Sequence, residues 1–163
     1  MPVFERFSWY GVEEVKIKAK TITKDVRGVF VSGQCHALAL SVNAITGWPM
    51  YAAFSDDGTN IPDHVFVKCP KGYLDVNGIN SLGIYTKYPY TIREVKKDEI
   101  LAWVKHRNDG NSGGYLEPNL KDTQIYAEQV AKIGGHNVKS KAKVKRVPRL
   151  PLSRKDVASC TTR

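Results

Sequence analysis

Residues 35–47, CHALALSVNAITG, are rich in Ala and Leu, contain no internal Pro or Gly, and run into Trp48 and Pro49. Gly accepts the left-handed conformation at a helix C-terminus and Pro cannot continue the hydrogen-bond ladder, so the segment reads as one helix with a defined stop. A helix of this composition is a buried one, and the remaining elements must supply what it packs on.

Upstream, 27–32 contains Val29, Phe30 and Val31 and ends at Gly33, the pattern of a short buried strand meeting a turn. Residues 12–26 fit two periods. Val12, Val15, Ala19, Ile22 and Val26 suit a helical face, whereas Val15, Ile17 and Ala19 alternate with lysines as in a strand. Downstream, 50–54 is a candidate strand and 55–63 a polar loop, and HVFVKC and YLDVNG flank Pro70, Lys71 and Gly72 as two arms of a hairpin. A Tyr-rich loop (Tyr85, Tyr88, Tyr90) precedes a helix over 97–107, whose apolar face is Ile100, Leu101, Trp103 and Val104. After a flexible loop at 108–114, a last helix runs over 122–133 with Asp122 as N-cap and closes at Gly134. No internal repeat occurs. The expected class is α+β, with the Cys35-bearing helix packed on an antiparallel sheet.

The length, 163 residues, is that of one domain. With 42% hydrophobic and 25% charged residues, disordered, collagen-like and membrane classes drop out. The charge is unevenly placed: 136–163 hold nine Lys and Arg against one acid, Asp156, which is +8 of the chain's formal +9. A domain over 1–135 and a flexible basic tail over 136–163 are therefore expected, the tail suited to nucleic acid or another acidic partner. Three cysteines, Cys35, Cys69 and Cys160, cannot all pair within one chain. Glu5, Arg6, Glu13 and Glu14 interrupt any leader-like N-terminal pattern, and no window has the apolar length of a membrane span. Those features place the protein in a reducing cytosol, where cysteines are packed or catalytic.

The chemistry concentrates at Gly33, Gln34, Cys35 and His36. A cysteine at the first turn of a helix faces unpaired N–H groups and the positive end of the helix dipole, which favour thiolate over thiol. The backbone N–H of Cys35 can also face a developing oxyanion, and Gln34 offers an amide donor beside it. His64, at the start of a strand after a polar loop, is the candidate base. His36 is weaker, because adjacent helical residues point about 100° apart and it should not face the same atom as Cys35. His106 and His136 read as solvated.

Cys35, then His64 opening HVFVKC, then YLDVNG, resembles in order and context the thiol enzymes of papain-like and transglutaminase-like fold. The LDVNG run is similar to the Asp-Val-Gly run of arylamine N-acetyltransferases, with Asn77 inserted. This resemblance spans 33–78 and implies a Cys nucleophile on a central helix, a His on one strand, and an Asp or Asn on its neighbour. It favours Asp75 as the third group. Hairpin arithmetic with Lys71 and Gly72 as a two-residue loop instead puts Asp75 opposite Lys68 and Asn77 opposite Phe66. Asp75 then lies about 13 Å along the strand from the level of His64, and Asn77 only two residues away. Pro70, Lys71 and Gly72 as a three-residue loop would put Asp75 on the opposite face. Both Asp75 and Asn77 stand as candidates.

Zinc is a weak competitor. Cys35, His36, His64 and Cys69 lack the usual ligand spacings, and His64 and Cys69 point to opposite faces of a strand, with Cys69 in the core beside Val65 and Val67. No phosphate loop, dinucleotide fingerprint or serine elbow occurs, so no cofactor is expected. The expected function is cysteine-dependent hydrolysis or acyl transfer on an amide, thioester or related bond of a protein or small molecule. The rival is a non-catalytic protein that binds nucleic acid through its tail.

Overall fold

The computed structural model describes residues 1–87 and 89–137. The basic tail, apart from its first two residues, lies outside them, as do Cys160 and Tyr88.

An N-terminal hairpin, β1 (Val3–Ser8) and β2 (Gly11–Lys16), leads into two helices, α1 (Lys24–Val31) and α2 (Cys35–Thr46). The lysine alternation at 12–26 thus marks a strand only as far as Lys16. The strand expected at 27–32 is instead the C-terminal part of α1, capped by the Thr23 hydroxyl, which accepts from the Val26 N–H at 3.4 Å. β-Branched residues misled there: Val26, Val29 and Phe30 bury one helical face, and packing overrides strand propensity. Phe30 meets Phe4 and Tyr126 edge-on, which ties α1 to β1 and to the last helix.

α2 is covered along most of its length, with Cys35 to Val42 buried without a break. Its small Ala side chains admit close neighbours, and it packs on both α4 (Leu120–Ile133) and the sheet. Gly47 ends it at φ 74°, its N–H donating to the Asn43 carbonyl at 2.8 Å, as the Gly-Trp-Pro stop requires.

The main sheet contains β3 (Met50–Phe54), β4 (His64–Cys69), β5 (Gly72–Asp75), β6 (Gly78–Ile79) and β7 (Thr91–Val95) in the order β6-β5-β4-β3-β7, antiparallel throughout. The molecule is therefore α+β, with the Cys35 helix on an antiparallel sheet. β7 and the 3-10 turn Gly83–Thr86 lie in the segment read as a Tyr-rich loop. α3 (Lys97–Asn108) buries Ile100, Trp103 and Val104 and leaves Leu101 exposed. The cap of α4 is Asn119 rather than Asp122: its side chain accepts from the Asp122 N–H at 3.1 Å. Cys69 is core. No single helix among the described residues is long and apolar enough to cross a membrane.

The hairpin register carries the largest consequence for the site. Cys69 pairs with Gly72 and Lys68 with Tyr73, so the turn is Pro70 and Lys71, one residue earlier than either spacing considered from sequence. Pro pre-sets the φ that such a corner needs. Continuing that register puts Asp75 across from Phe66, the place that sequence arithmetic assigned to Asn77. β5 then ends, and Val76 and Asn77 form the turn into β6 through the pair Asp75 and Gly78.

Candidate active site

Three elements converge on one buried point: the first turn of α2, the first residue of β4 and the last residue of β5. Gly33 permits the approach, since a Cβ there would lie 3.0 Å from Leu116 Cδ1 and 3.1 Å from Arg6 Cα. The turn before Cys35 is thereby pressed against β1, where the Phe7 N–H donates to the Ser32 carbonyl at 2.6 Å.

His64 heads a central strand, between β3 and β5, and is 1% exposed; it does not stand at an open sheet edge. Its Nε2 donates to Asp75 Oδ2 at 2.9 Å. Asp75 Oδ1 accepts from the Asn77 N–H at 2.8 Å, so the carboxylate is held at both oxygens. Asn77 contributes this backbone contact alone to the site, because its side chain is exposed. The structure thus brings Asp75, and not the Asn77 side chain, to His64. A diagonal pair two residues apart across adjacent strands is within reach of a histidine and a carboxylate.

The thiol of Cys35, 4% exposed, lies against His64 and also against His36. His64 Nδ1 makes no hydrogen bond of good geometry at rest, a common condition of catalytic pairs before substrate arrives. Burial pushes the Cys35 thiol up, but hydrogen bonding and charge from His36 and His64 outweigh it and bring the thiol down to about 6. Burial likewise opposes charge on His64, while Asp75 first and then Cys35 raise it to about 9. Between those values the pair favours thiolate and imidazolium. The orthogonality expected of His36 fails because Cys35 sits at the very start of the helix, where its side chain can reach along the neighbouring residue.

Gln34 has a different role from the one its position suggested. Its Nε2 donates to the carbonyls of Glu5 and Glu117, both at 3.2 Å, and its Oε1 accepts from the Asn119 N–H at 3.2 Å. With both amide hydrogens committed, the side chain is not an oxyanion donor; it ties α2 to β1 and to the start of α4. Gln34→Leu should therefore cost stability, about 2 to 4 kcal/mol for stranding three buried backbone partners, and urea denaturation will measure it.

Two tyrosines that local sequence pattern did not single out complete the site. Tyr115, buried, donates its hydroxyl to the Pro62 carbonyl at 2.6 Å and packs its ring 4.6 Å from that of His36. Burial holds its phenol well above the ordinary range, so it keeps its proton. Tyr85, on the 3-10 turn, stacks on His64 with ring centroids 4.8 Å apart and planes at 19°. Their only sequence signal was a Tyr-rich loop and a Tyr after a Gly pair, neither of which points to a residue so far along the chain.

The cavity beside Cys35 holds only about 10 Å³, room for roughly one water. Access to the thiol thus requires side chains to move, and Tyr85 is the half-buried one above His64. Tyr85→Ala is expected to raise the plateau rate of Cys35 alkylation several-fold while leaving its pH midpoint within about half a unit, as stopped-time labelling and mass spectrometry would show. A groove of about 410 Å³, lined by Asp63, Pro62, Tyr115, Arg107 and Gly114 among others, adjoins this wall. Among the described residues, no cluster of three His, Cys, Asp or Glu side chains is arranged to hold a metal ion.

A scan of the sequence against protein-family models finds no match, and comparisons with curated proteins and with solved structures find none either.

Proposed function

We propose that this protein is a thiol enzyme of papain-like or transglutaminase-like fold, a hydrolase or acyl transferase acting on an amide, thioester or related bond. One observation carries the reading: Cys35, His64 and Asp75 meet at one buried point, with the thiol favouring its anion near neutral pH and the imidazole its cation. In the reaction the thiolate attacks the carbonyl carbon, and the oxyanion forms beside the backbone N–H of Cys35 at the start of α2. His64 passes its Nδ1 proton to the leaving group, and a thioester to Cys35 remains. Neutral His64 then takes a proton from water or an amine, whose attack releases the acyl group and restores the thiolate. Asp75 keeps the imidazole oriented and supports its charge.

Incubation with p-nitrophenyl acetate tests this. The expected result is a burst of nitrophenolate approaching one equivalent and an acetyl group on Cys35 in peptide mass spectra. A Cys35→Ala protein with the same burst, or acetylation confined to lysines, would overturn it. The rival reading rests on the +8 carried by 136–163. If that segment binds nucleic acid, affinity falls by about 0.9 log units per log unit of salt for each phosphate contacted on duplex DNA.

A further inference from the structure

Two buried side-chain nitrogens among the described residues lack any hydrogen-bond partner, His36 Nδ1 and His64 Nδ1. Leaving such an atom unpaired costs about 1 to 3 kcal/mol, so stability does not explain the arrangement. The two rings share a pattern. Each is anchored through Nε2, His64 on Asp75 Oδ2 at 2.9 Å and His36 on the Leu116 carbonyl at 2.8 Å. Each acts on the Cys35 sulfur.

A carbonyl only accepts, so Nε2 of His36 carries the proton and the neutral ring presents a lone pair at Nδ1. The ring is held in place, with Tyr115 packed against it and Tyr115 itself bonded to Pro62. We propose that His36 is a second proton acceptor for Cys35, so that two imidazoles serve one sulfur in parallel. The S–H bond breaks and an N–H bond forms at His36 Nδ1; the electron pair stays on sulfur, and the proton later returns to sulfur or goes to a leaving group. His64 is the stronger acceptor, because a carboxylate supports its positive charge where His36 has only a neutral carbonyl. The titratable groups facing this sulfur are His36 on α2, His64 on β4, Asp75 on β5, Tyr85 on the 3-10 turn and Tyr115 before α4, with Asp63 farther out.

This inference rests on the thiol-enzyme reading, and its test separates the two. Rates of iodoacetamide alkylation of Cys35 are measured against pH in wild type, His36→Gln, His64→Gln and the double variant. Gln keeps an N–H at the Nε2 position, so the bond to Leu116 survives and only Nδ1 is lost. His64→Gln alone should leave the midpoint below the ordinary thiol value of about 8.5, and the double variant should bring it to that value or above. Unchanged midpoints on adding His36→Gln to either background overturn the role of His36 and leave the enzyme reading intact. A wild-type midpoint at the ordinary value overturns both. Should His36→Gln not fold, imidazole nitrogen NMR on the wild type decides: the His36 Nδ1 resonance is expected to move over the same pH span as Cys35 alkylation, and a stationary resonance overturns the proposal.

Discussion

Alkylation of Cys35 in the folded protein should have its midpoint near pH 6, about two to three units below that of the same cysteine in the urea-denatured chain. The thiol is brought down to about 6 although burial opposes it. A normal thiol is only about 3% ionised at pH 7, whereas one at this value is almost fully so. The gain in rate will be smaller than the gain in thiolate, since nucleophilicity falls with pKa, at a Brønsted slope of about 0.4 to 0.5. The midpoint is therefore the quantity to read. Closure of the cavity lowers the plateau without moving the midpoint. Cys69, buried in the core, should stay unlabelled until the chain unfolds. For turnover the same values give a bell: Cys35 must be deprotonated, which sets the acid limb near 6, and His64 must hold a proton for the leaving group, which sets the alkaline limb near 9. These limbs belong to the coupled pair. A midpoint near that of the denatured chain would remove the basis for nucleophilic chemistry.

Asp75→Ala should have the largest effect among substitutions that leave the nucleophile in place. It removes the 2.9 Å partner of His64 Nε2 and the chief support for its cation, so the alkaline limb moves down from about 9 toward or below the ordinary histidine value. Turnover on the alkaline side should drop on the order of 100-fold, as for loss of a general acid. Stability should fall by about 3 kcal/mol, because one member of a buried pair is left alone. His64→Ala carries a similar stability cost, contrary to what a strand-edge position would imply, since His64 lies inside the sheet with the Asp75 carboxylate against it. Asn77→Ala provides the contrast. Its exposed side chain makes no contact with His64, and the N–H that binds Asp75 Oδ1 survives the substitution. Its pH profile should match wild type and its stability lie within about 0.5 kcal/mol. Equal losses in the two variants would leave Asp75 without a special role.

Local patterns made much of the fold legible. The Ala and Leu run ending in Gly47, the apolar stripes of α3 and α4, and the two arms around Pro70 each carry periodicity and a stop signal within one element. The order Cys35, His64, Asp75 could be read in the same way, because residue types at element starts are local facts. Errors fell where a local preference met a tertiary demand. Val29, Phe30 and Val31 look like a strand, yet with Val26 they form the inner face of α1 against Phe4 and Tyr126. β7 was lost among tyrosines, because a strand with a half-exposed face carries a weak pattern.

The site depended on a shift too small for sequence to specify. Moving the turn to Pro70 and Lys71 slides one arm by two residues and keeps every side chain on its face, so hydrophobic alternation reads the same before and after. Only the folded sheet selects between these registers, and with them between Asp75 and Asn77. The same holds for His36, Gln34, Tyr85 and Tyr115, whose roles come from contacts across the chain, up to 85 residues apart for Gln34 and Asn119. Periodicity and capping act over a few residues and are written into the chain; which distant atoms share a buried pocket is set by packing of whole elements, and only the tertiary structure decides it.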